Sequence, residues 1–290
     1  MRHLRNKVFV VTGAGSGIGR ALSIALDKEG AQLALNDINE QALQETAKLL
    51  KNKAITRAFS VAQRDEWLAF KTEVMAHFGG LDALINNAGI AHEAVAVEHL
   101  RETDLKKVMD INFYGVVHGT QVFLPELARA REAAVVNISS IFGVTAVGLQ
   151  SAYCASKFAV RGYTESLRME AMSYYPNLLV SVVHPGGIDT NVAENAITAG
   201  SRTEEERHKD LSTFKQTFIT SPEKAAATII EGIKNSKTRI LIGMDAKIMD
   251  LTARLMPVGY SKRILKEMKK NGLVDGQIIE PIEKREGKQL

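Results

Sequence analysis

Tyr153 and Lys157 stand four residues apart in the stretch SAYCASKFAV, inside a segment whose apolar pattern predicts a helix near 152–175. That spacing puts both side chains on one helical face. A phenol with its ordinary pKa near 10 is a poor base at neutral pH, and bringing it to neutrality takes roughly 4 kcal/mol of differential interaction. A partly desolvated lysine beside it, with a second positive charge in the site, could supply that. Such a pair would move a proton to or from an oxygen. The chain has six tyrosines, so the spacing alone is a weak indication.

Position strengthens it. Ser139 and Ser140 close the apolar run AVVNISS, thirteen residues before Tyr153, and Asn86-Asn87-Ala88-Gly89 closes the run ALINNAG in the same way. Taken alone, a serine pair there reads as a turn or a helix cap. Asn112 interrupts the apolar pattern of VMDINFYGVV. A buried asparagine in mid-helix needs hydrogen-bond partners, and in isolation its role reads as structural.

A second constellation opens the chain. Val8 to Val11 form an apolar run, and Gly13, Gly15, Gly17 and Gly19 follow it in VVTGAGSGIGR. Ile18, Leu22, Ala25 and Leu26 then recur at helical spacing. Strand, glycine turn and helix in this order let main-chain N–H groups and the positive end of a helix dipole approach a pyrophosphate. The spacing is T-G-x-x-x-G-x-G from Thr12 to Gly19; G-x-G-x-x-G does not fit, because Ile18 falls on its last position. Asp37 comes just after the next strand. A carboxylate there could accept hydrogen bonds from ribose hydroxyls and repel a 2′-phosphate, or it could serve the start of the helix that Asn39 caps. Arg20 is the one basic residue nearby that argues for an extra phosphate.

These groups need a scaffold. Apolar runs at Val8–Thr12, Gln32–Asn36, Ala54–Phe59, Ala83–Asn86, Ala134–Ile138 and Leu178–Val183 alternate with helical patterns near 18–29, 40–52, 64–78, 103–130 and 152–175. The second helix turns Ala42, Leu43, Ala47 and Leu50 inward, and Trp67 lies on the third, partly buried. The pattern loosens over 187–220, around SRTEEERHKD, then resumes with a helix near 222–235 and a strand Arg239–Ile242. The alternation predicts an α/β doubly wound Rossmann fold, a parallel sheet of about seven strands with helices on both faces. One domain spans 1–243, including a substrate loop at 187–220, and 244–290 form a helical, basic extension.

Bulk properties narrow the function classes. The 290 residues carry 37 basic and 33 acidic side chains, a net charge of +4 too balanced to argue for nucleic acid. The one cysteine, Cys154, allows no intramolecular disulfide and suits a reducing compartment; it reads as a small buried residue. No apolar run reaches the length of a membrane span. The basic start MRHLRNK leads straight into the first strand, so a soluble cytoplasmic protein is expected. His184 reads as a packing or hydrogen-bonding residue, and no cluster has the spacing of metal ligands.

Taken together, Thr12–Gly19, Asp37, Asn86–Gly89, Asn112, Ser140, Tyr153–Lys157 and HPGGIDT resemble the short-chain dehydrogenase/reductase family over roughly residues 5 to 245. The resemblance implies NAD as cofactor and hydride transfer between a secondary alcohol and its ketone. It makes Tyr153 the general acid/base, Lys157 the residue that lowers its pKa and holds the nicotinamide ribose, and Ser140 the group that orients the substrate oxygen. Asn112 would anchor a water relay to the lysine. The cofactor would lie against Thr12, Gly13, Ser16, Gly17, Ile18, Gly19, Asp37, Val61, Asn87, Ala88, Gly89, Pro185, Gly186, Ile188 and Thr190, with Thr190 holding the carboxamide. Ser60 stands where the family often has an aspartate for the adenine amino group, so that charge is absent. An NAD(H)-binding regulator without turnover and an NADPH-dependent reductase are the rival readings; the intact set of Asn112, Ser140, Tyr153 and Lys157 opposes the first and Asp37 the second. The family also implies a homodimer or homotetramer.

Ile141, Phe142, Val144, Val147 and Leu149, directly after Ser140, point to a substrate with an apolar body, unless they simply pack beneath the 187–220 segment. The tail from Met244 shows helical spacing broken at Pro257 and Gly259 and ends basic. It could cap the cleft, form a subunit contact or lie on an anionic membrane surface. The break favours the first two.

Overall fold

A computed structural model describes residues 1–188 and 220–270. Its strands are β1 (Val8–Thr12), β2 (Gln32–Asp37), β3 (Ile55–Ala58), β4 (Ala83–Asn86), β5 (Ala133–Ile138), β6 (Leu178–Pro185) and β7 (Arg239–Ile242). The helices are α1 (Gly17–Lys28), α2 (Glu40–Lys48), α3 (Arg64–Phe78), α4 (Glu102–Met109), α5 (Gly115–Arg129), α6 (Ser151–Tyr174), α7 (Pro222–Lys234), α8 (Met244–Leu255) and α9 (Tyr260–Lys270).

β1 is buried at every position because helices cover both faces of the sheet. Alternate residues serve the two layers. Phe9 and Val11 pack with Leu22 and Leu26 of α1 and Ile229 and Ile233 of α7. Val8 and Val10 face Trp67 and Phe70 of α3, Phe123 of α5 and Leu167 of α6. All neighbouring strands run parallel, in the order β3-β2-β1-β4-β5-β6-β7. The expected doubly wound Rossmann sheet is therefore present. The chain leaves β1 toward β2 on one side and reaches β4 on the other, so the order reverses at β1/β4 and a crevice opens beyond their C-terminal ends.

Three local expectations change. Trp67 is fully buried, edge-on to Phe59 and Phe123, with its Nε1 donating to the Val61 carbonyl at 2.8 Å. Gly119 makes room for it, since a Cβ there would lie 2.6 Å from the indole. The helix expected at 40–52 ends at Lys48, because the Asp27 carboxylate captures the main-chain N–H groups of Lys51 and Asn52. The helix expected at 103–130 is divided by one wide π-type turn, Asp110–Tyr114, which contains Asn112.

Candidate active site

The turn after β1 is built from main chain. Gly13 and Gly17 have φ of 63° and 50°, a region where side chains are strained. At Gly19 a Cβ would sit 2.0 Å from the Gly13 carbonyl oxygen. The surrounding side chains brace this turn. Asp37 Oδ2 accepts from Gly15 N at 2.8 Å and its Oδ1 from Asn39 N at 2.9 Å. Asn39 in turn caps α2 by accepting from Ala42 N. Arg20 bonds the carbonyls of Gly15 and Ala42, Thr46 and Glu45. Thr12 Oγ1 accepts from the N–H groups of Asn87 and Ala88, both at 3.0 Å, and Asn87 Nδ2 returns a bond to the Thr12 carbonyl. Thr12 and Asn87 thus tie the ends of β1 and β4 together across the crevice. Ser16 opens α1 without a side-chain bond to its first turn, which carries no acidic residue, and Ile18 packs against the core behind it. A helix end with uncapped N–H groups, beside glycines that leave the backbone approachable, fits the pyrophosphate of a dinucleotide. Val61 turns its side chain into the core against Gly115, and the Ser60 hydroxyl accepts from Ala62 N.

The turn after β5 is built from side chains. Ser139 Oγ donates to the Lys157 carbonyl at 2.8 Å, fastening α6 to the end of the strand. Gly143 permits this approach: a Cβ there would lie 2.3 Å from Ser139 Oγ. Ser140 accepts from Phe142 N and hydrogen-bonds the Tyr153 phenol. Behind it the buried His184 ring holds the Ser140 carbonyl through Nδ1 at 2.9 Å; burial lowers its pKa to about 4, so it is neutral. Lys157 is buried, with Nζ 5.6 Å from the centre of the Tyr153 ring and donating to the Ile138 carbonyl at 3.1 Å. Asn112 is fully buried and satisfied, accepting from Ile90 N and donating to the Ile90 carbonyl and Ser156 Oγ. A Cβ on Gly89 would meet Lys157 Nζ at 3.2 Å and Asn112 Oδ1 at 3.3 Å, so these three residues share one small space. Cys154 is a buried free thiol.

Burial governs the protonation of this group. It pushes the Tyr153 phenol up to about 12, against a smaller lowering by Ser140, and it draws Lys157 down to about 8. The lysine alone therefore does not bring the phenol to neutrality.

The end of β6 forms the third wall. Gly186 N donates to the Ile242 carbonyl, and Ile188 forms a bridge with Thr220. Thr190 lies outside the described residues, as do the rest of the 189–219 segment and 271–290. Sequence reasoning missed Asp245, whose Oδ2 accepts from Gly187 N at 2.6 Å. An acidic residue in the first turn of α8 reads as a partner of the helix dipole and nothing more. Of the apolar residues after Ser140, Ile141 and Val144 pack on Ala246 of α8, with the half-buried Phe142 against the same cluster and edge-on to Tyr153, whereas Val147 and Leu149 stay partly exposed. Among the described residues, no group of three or more His, Cys, Asp or Glu side chains could hold a metal ion, and no helix is long and apolar enough to cross a membrane.

A family model described as short chain dehydrogenase matches residues 7–200. The chain is 41% identical over 272 residues to a Mycobacterium tuberculosis protein named as the oxidoreductase SadH, covering 91% of this chain and 96% of that one. It is 32% identical over 230 residues to the 3-oxoacyl-[acyl-carrier-protein] reductase FabG of Thermotoga maritima, covering 78% and 90%. Among solved structures, a short chain dehydrogenase/reductase from Burkholderia phymatum in complex with NAD superposes with a TM-score of 0.75 at 26% identity, over 83% of this chain and 90% of that one. A short-chain dehydrogenase from Streptomyces avermitilis has the same TM-score at 28% identity, over 91% and 97%.

Proposed function

The chain is an oxidoreductase of the short-chain dehydrogenase/reductase family, and on that footing we propose that it interconverts a secondary alcohol and its ketone with NAD(H). The observation that carries this reading is one cluster: a Tyr153 phenol bonded to Ser140, with Lys157 beneath it and Asn112 fixed next to the lysine. A nicotinamide dinucleotide held at the turn after β1 would supply the acceptor or donor of the hydride. Residues 12–19, Asp37, the 87–89 turn and the end of β6 would hold it.

The chain's own residues handle the oxygen and its proton. Ser140 is fixed at its carbonyl by His184 and at its hydroxyl by Phe142 N, so it can orient a substrate oxygen toward Tyr153. With a pKa near 12 the phenol is protonated at neutral pH, ready to donate to a ketone oxygen. In the opposite direction it must first lose that proton, and the ammonium of Lys157 favours the phenolate once a positive ring shares the site. Asp37 presents a carboxylate where a 2′-phosphate would need a cation, which supports NAD over NADP. Phe142, edge-on to Tyr153, and the partly exposed Val147 and Leu149 that follow it in the chain support an alcohol with a substantial apolar body. The exposed Phe158, Met169 and Met172 of α6 support a homo-oligomer formed through that helix.

The test is a screen of secondary alcohols and ketones of graded size, assayed with NAD(H) and NADP(H) in parallel. Turnover that rises with apolar size and favours NAD supports the reading. Cofactor binding without turnover on any member of the series would replace it with a non-catalytic sensor.

A further inference from the structure

Helix α8 is apolar on two sides. Its inner side, with Ala246, Met249 and Ala253, packs on Ile141 and Val144. Its outer side carries Met244, Ile248, Leu251 and Leu255, spaced by four, three and four residues and so aligned in one stripe. These four are 63%, 51%, 57% and 73% exposed, and Met256 and Val258 continue the stripe into the following turn at 49% and 81%. Isolated exposed apolar residues are ordinary, but a contiguous row of six marks a contact surface.

The charges around the stripe identify what it meets. Lys247 borders it, and α9 adds exposed Lys262, Arg263, Lys266 and Lys269. The carboxylates of α8 are turned inward, Asp245 to Gly187 N and the buried Asp250 to Arg239 and Arg254. The outer surface is therefore apolar, with Lys247 at its border and a basic fringe on the helix that follows after four residues. We infer that it docks on an anionic phospholipid bilayer, with the stripe among the upper acyl chains and the basic side chains reaching lipid phosphates. A second copy of this chain is a poorer occupant, because a twofold contact would set the same basic fringe against itself. Pro257 and Gly259 interrupt one long amphipathic helix, but the stripe does not depend on it: four of its residues lie on α8 alone. This surface stands independently of the dehydrogenase reading.

The full chain is sedimented with phosphatidylcholine vesicles, with and without phosphatidylserine. Binding is expected only to the anionic vesicles and should weaken steeply with added salt. Leu251→Asp/Leu255→Asp, and separately Lys262→Glu/Lys266→Glu, should each lower vesicle affinity by about tenfold or more while circular dichroism and melting temperature stay unchanged. Failure of the wild type to bind anionic vesicles overturns the inference, as does equal binding to neutral ones or retained binding by both variants. A wild-type dimer that Leu251→Asp/Leu255→Asp dissociates, with no vesicle binding, would assign the stripe to a second copy instead.

Discussion

The turns after β1 and after β5 lie on either side of β4 at the same edge of the sheet, yet they are made of different material. The first is main chain. Asp37, Arg20, Thr46 and Asn87 all spend hydrogen bonds on peptide groups of residues 12–15, and an added Cβ at Gly13, Gly15 or Gly19 would collide at 2.9 Å or less. The second is side chain: a phenol, a hydroxyl, an amide and an ammonium, each held by a bond to a neighbouring element. A turn made of peptide groups offers the same fixed dipoles at any ordinary pH. A cluster of titratable side chains offers a proton whose position depends on what else is bound. On the proposed function, recognition falls to the first turn and chemistry to the second, and substitutions can separate the two.

The largest separation is expected from Tyr153→Phe. Loss of a general acid/base lowers kcat by about 10²–10⁴-fold, while NADH affinity, measured by fluorescence titration, stays within a few-fold of wild type. If affinity fell in step with turnover, the two turns would not be separable in this way.

Lys157→Met sharpens the point, because it should cost activity and add stability. Burial holds the Lys157 pKa at about 8, below its ordinary 10.5. Between these values the unfolded chain binds the proton and the folded chain does not, so stability rises as the pH climbs from 8 to 10.5. Below pH 8 the buried charge costs about 3 kcal/mol. Methionine removes that cost but leaves the Ile138 carbonyl unpaired, a loss of roughly 1–2 kcal/mol, so a net gain of about 1 kcal/mol remains at pH 7. Urea denaturation at pH 7 and pH 10 checks both the gain and the flattening of the pH dependence.

The same contrast explains what was legible in the sequence. The glycine spacing, Asp37, the Asn39 cap and all seven strands follow from local pattern, since each depends on neighbours close in the chain. Features made by contacts between distant segments did not show. The Asp27 clasp that shortens α2, the complete burial of Trp67 beside Gly119, and the wide turn that carries Asn112 belong to this kind. Asn112 itself was legible as a polar interruption, but its partners Ile90 and Ser156 were not, being separated from it by 22 and 44 residues. The lowered lysine and raised phenol also arise from burial, which no spacing encodes.

Cofactor choice tests the first turn at smaller amplitude. A carboxylate facing a 2′-phosphate in a partly desolvated site costs several kcal/mol, so kcat/KM for NAD should exceed that for NADP by about a hundredfold. Asp37→Asn should narrow the ratio mainly by relieving the repulsion. It should also weaken NAD binding, because the charged acceptor for Gly15 N is lost. Equal values for the two cofactors in the wild type would remove Asp37 from recognition and leave it as a brace of the turn.

The smallest effect is expected at Asp245, which belongs to neither turn. Its carboxylate sits where Cβ atoms on Gly186 and Gly243 would overlap it, at 2.1 and 2.2 Å, so both glycines are matched to its presence. Oδ2 takes the Gly187 N–H, and the buried Oδ1 has no partner among the described residues. Asparagine keeps the shape and one acceptor but discards the charge, turning a charge-assisted bond into a neutral one. That difference is roughly 1 kcal/mol, or about fivefold. The bond holds the main chain at Gly187, just past the end of β6, so on the proposed function the loss should appear in ligand binding and not in proton transfer. Asp245→Asn should accordingly raise KM about fivefold for the alcohol, the cofactor or both, with kcat and its pH profile unchanged. A fall in kcat at constant KM would tie α8 to the side-chain turn after all, and the division of labour between the two turns would then extend across the third wall of the site.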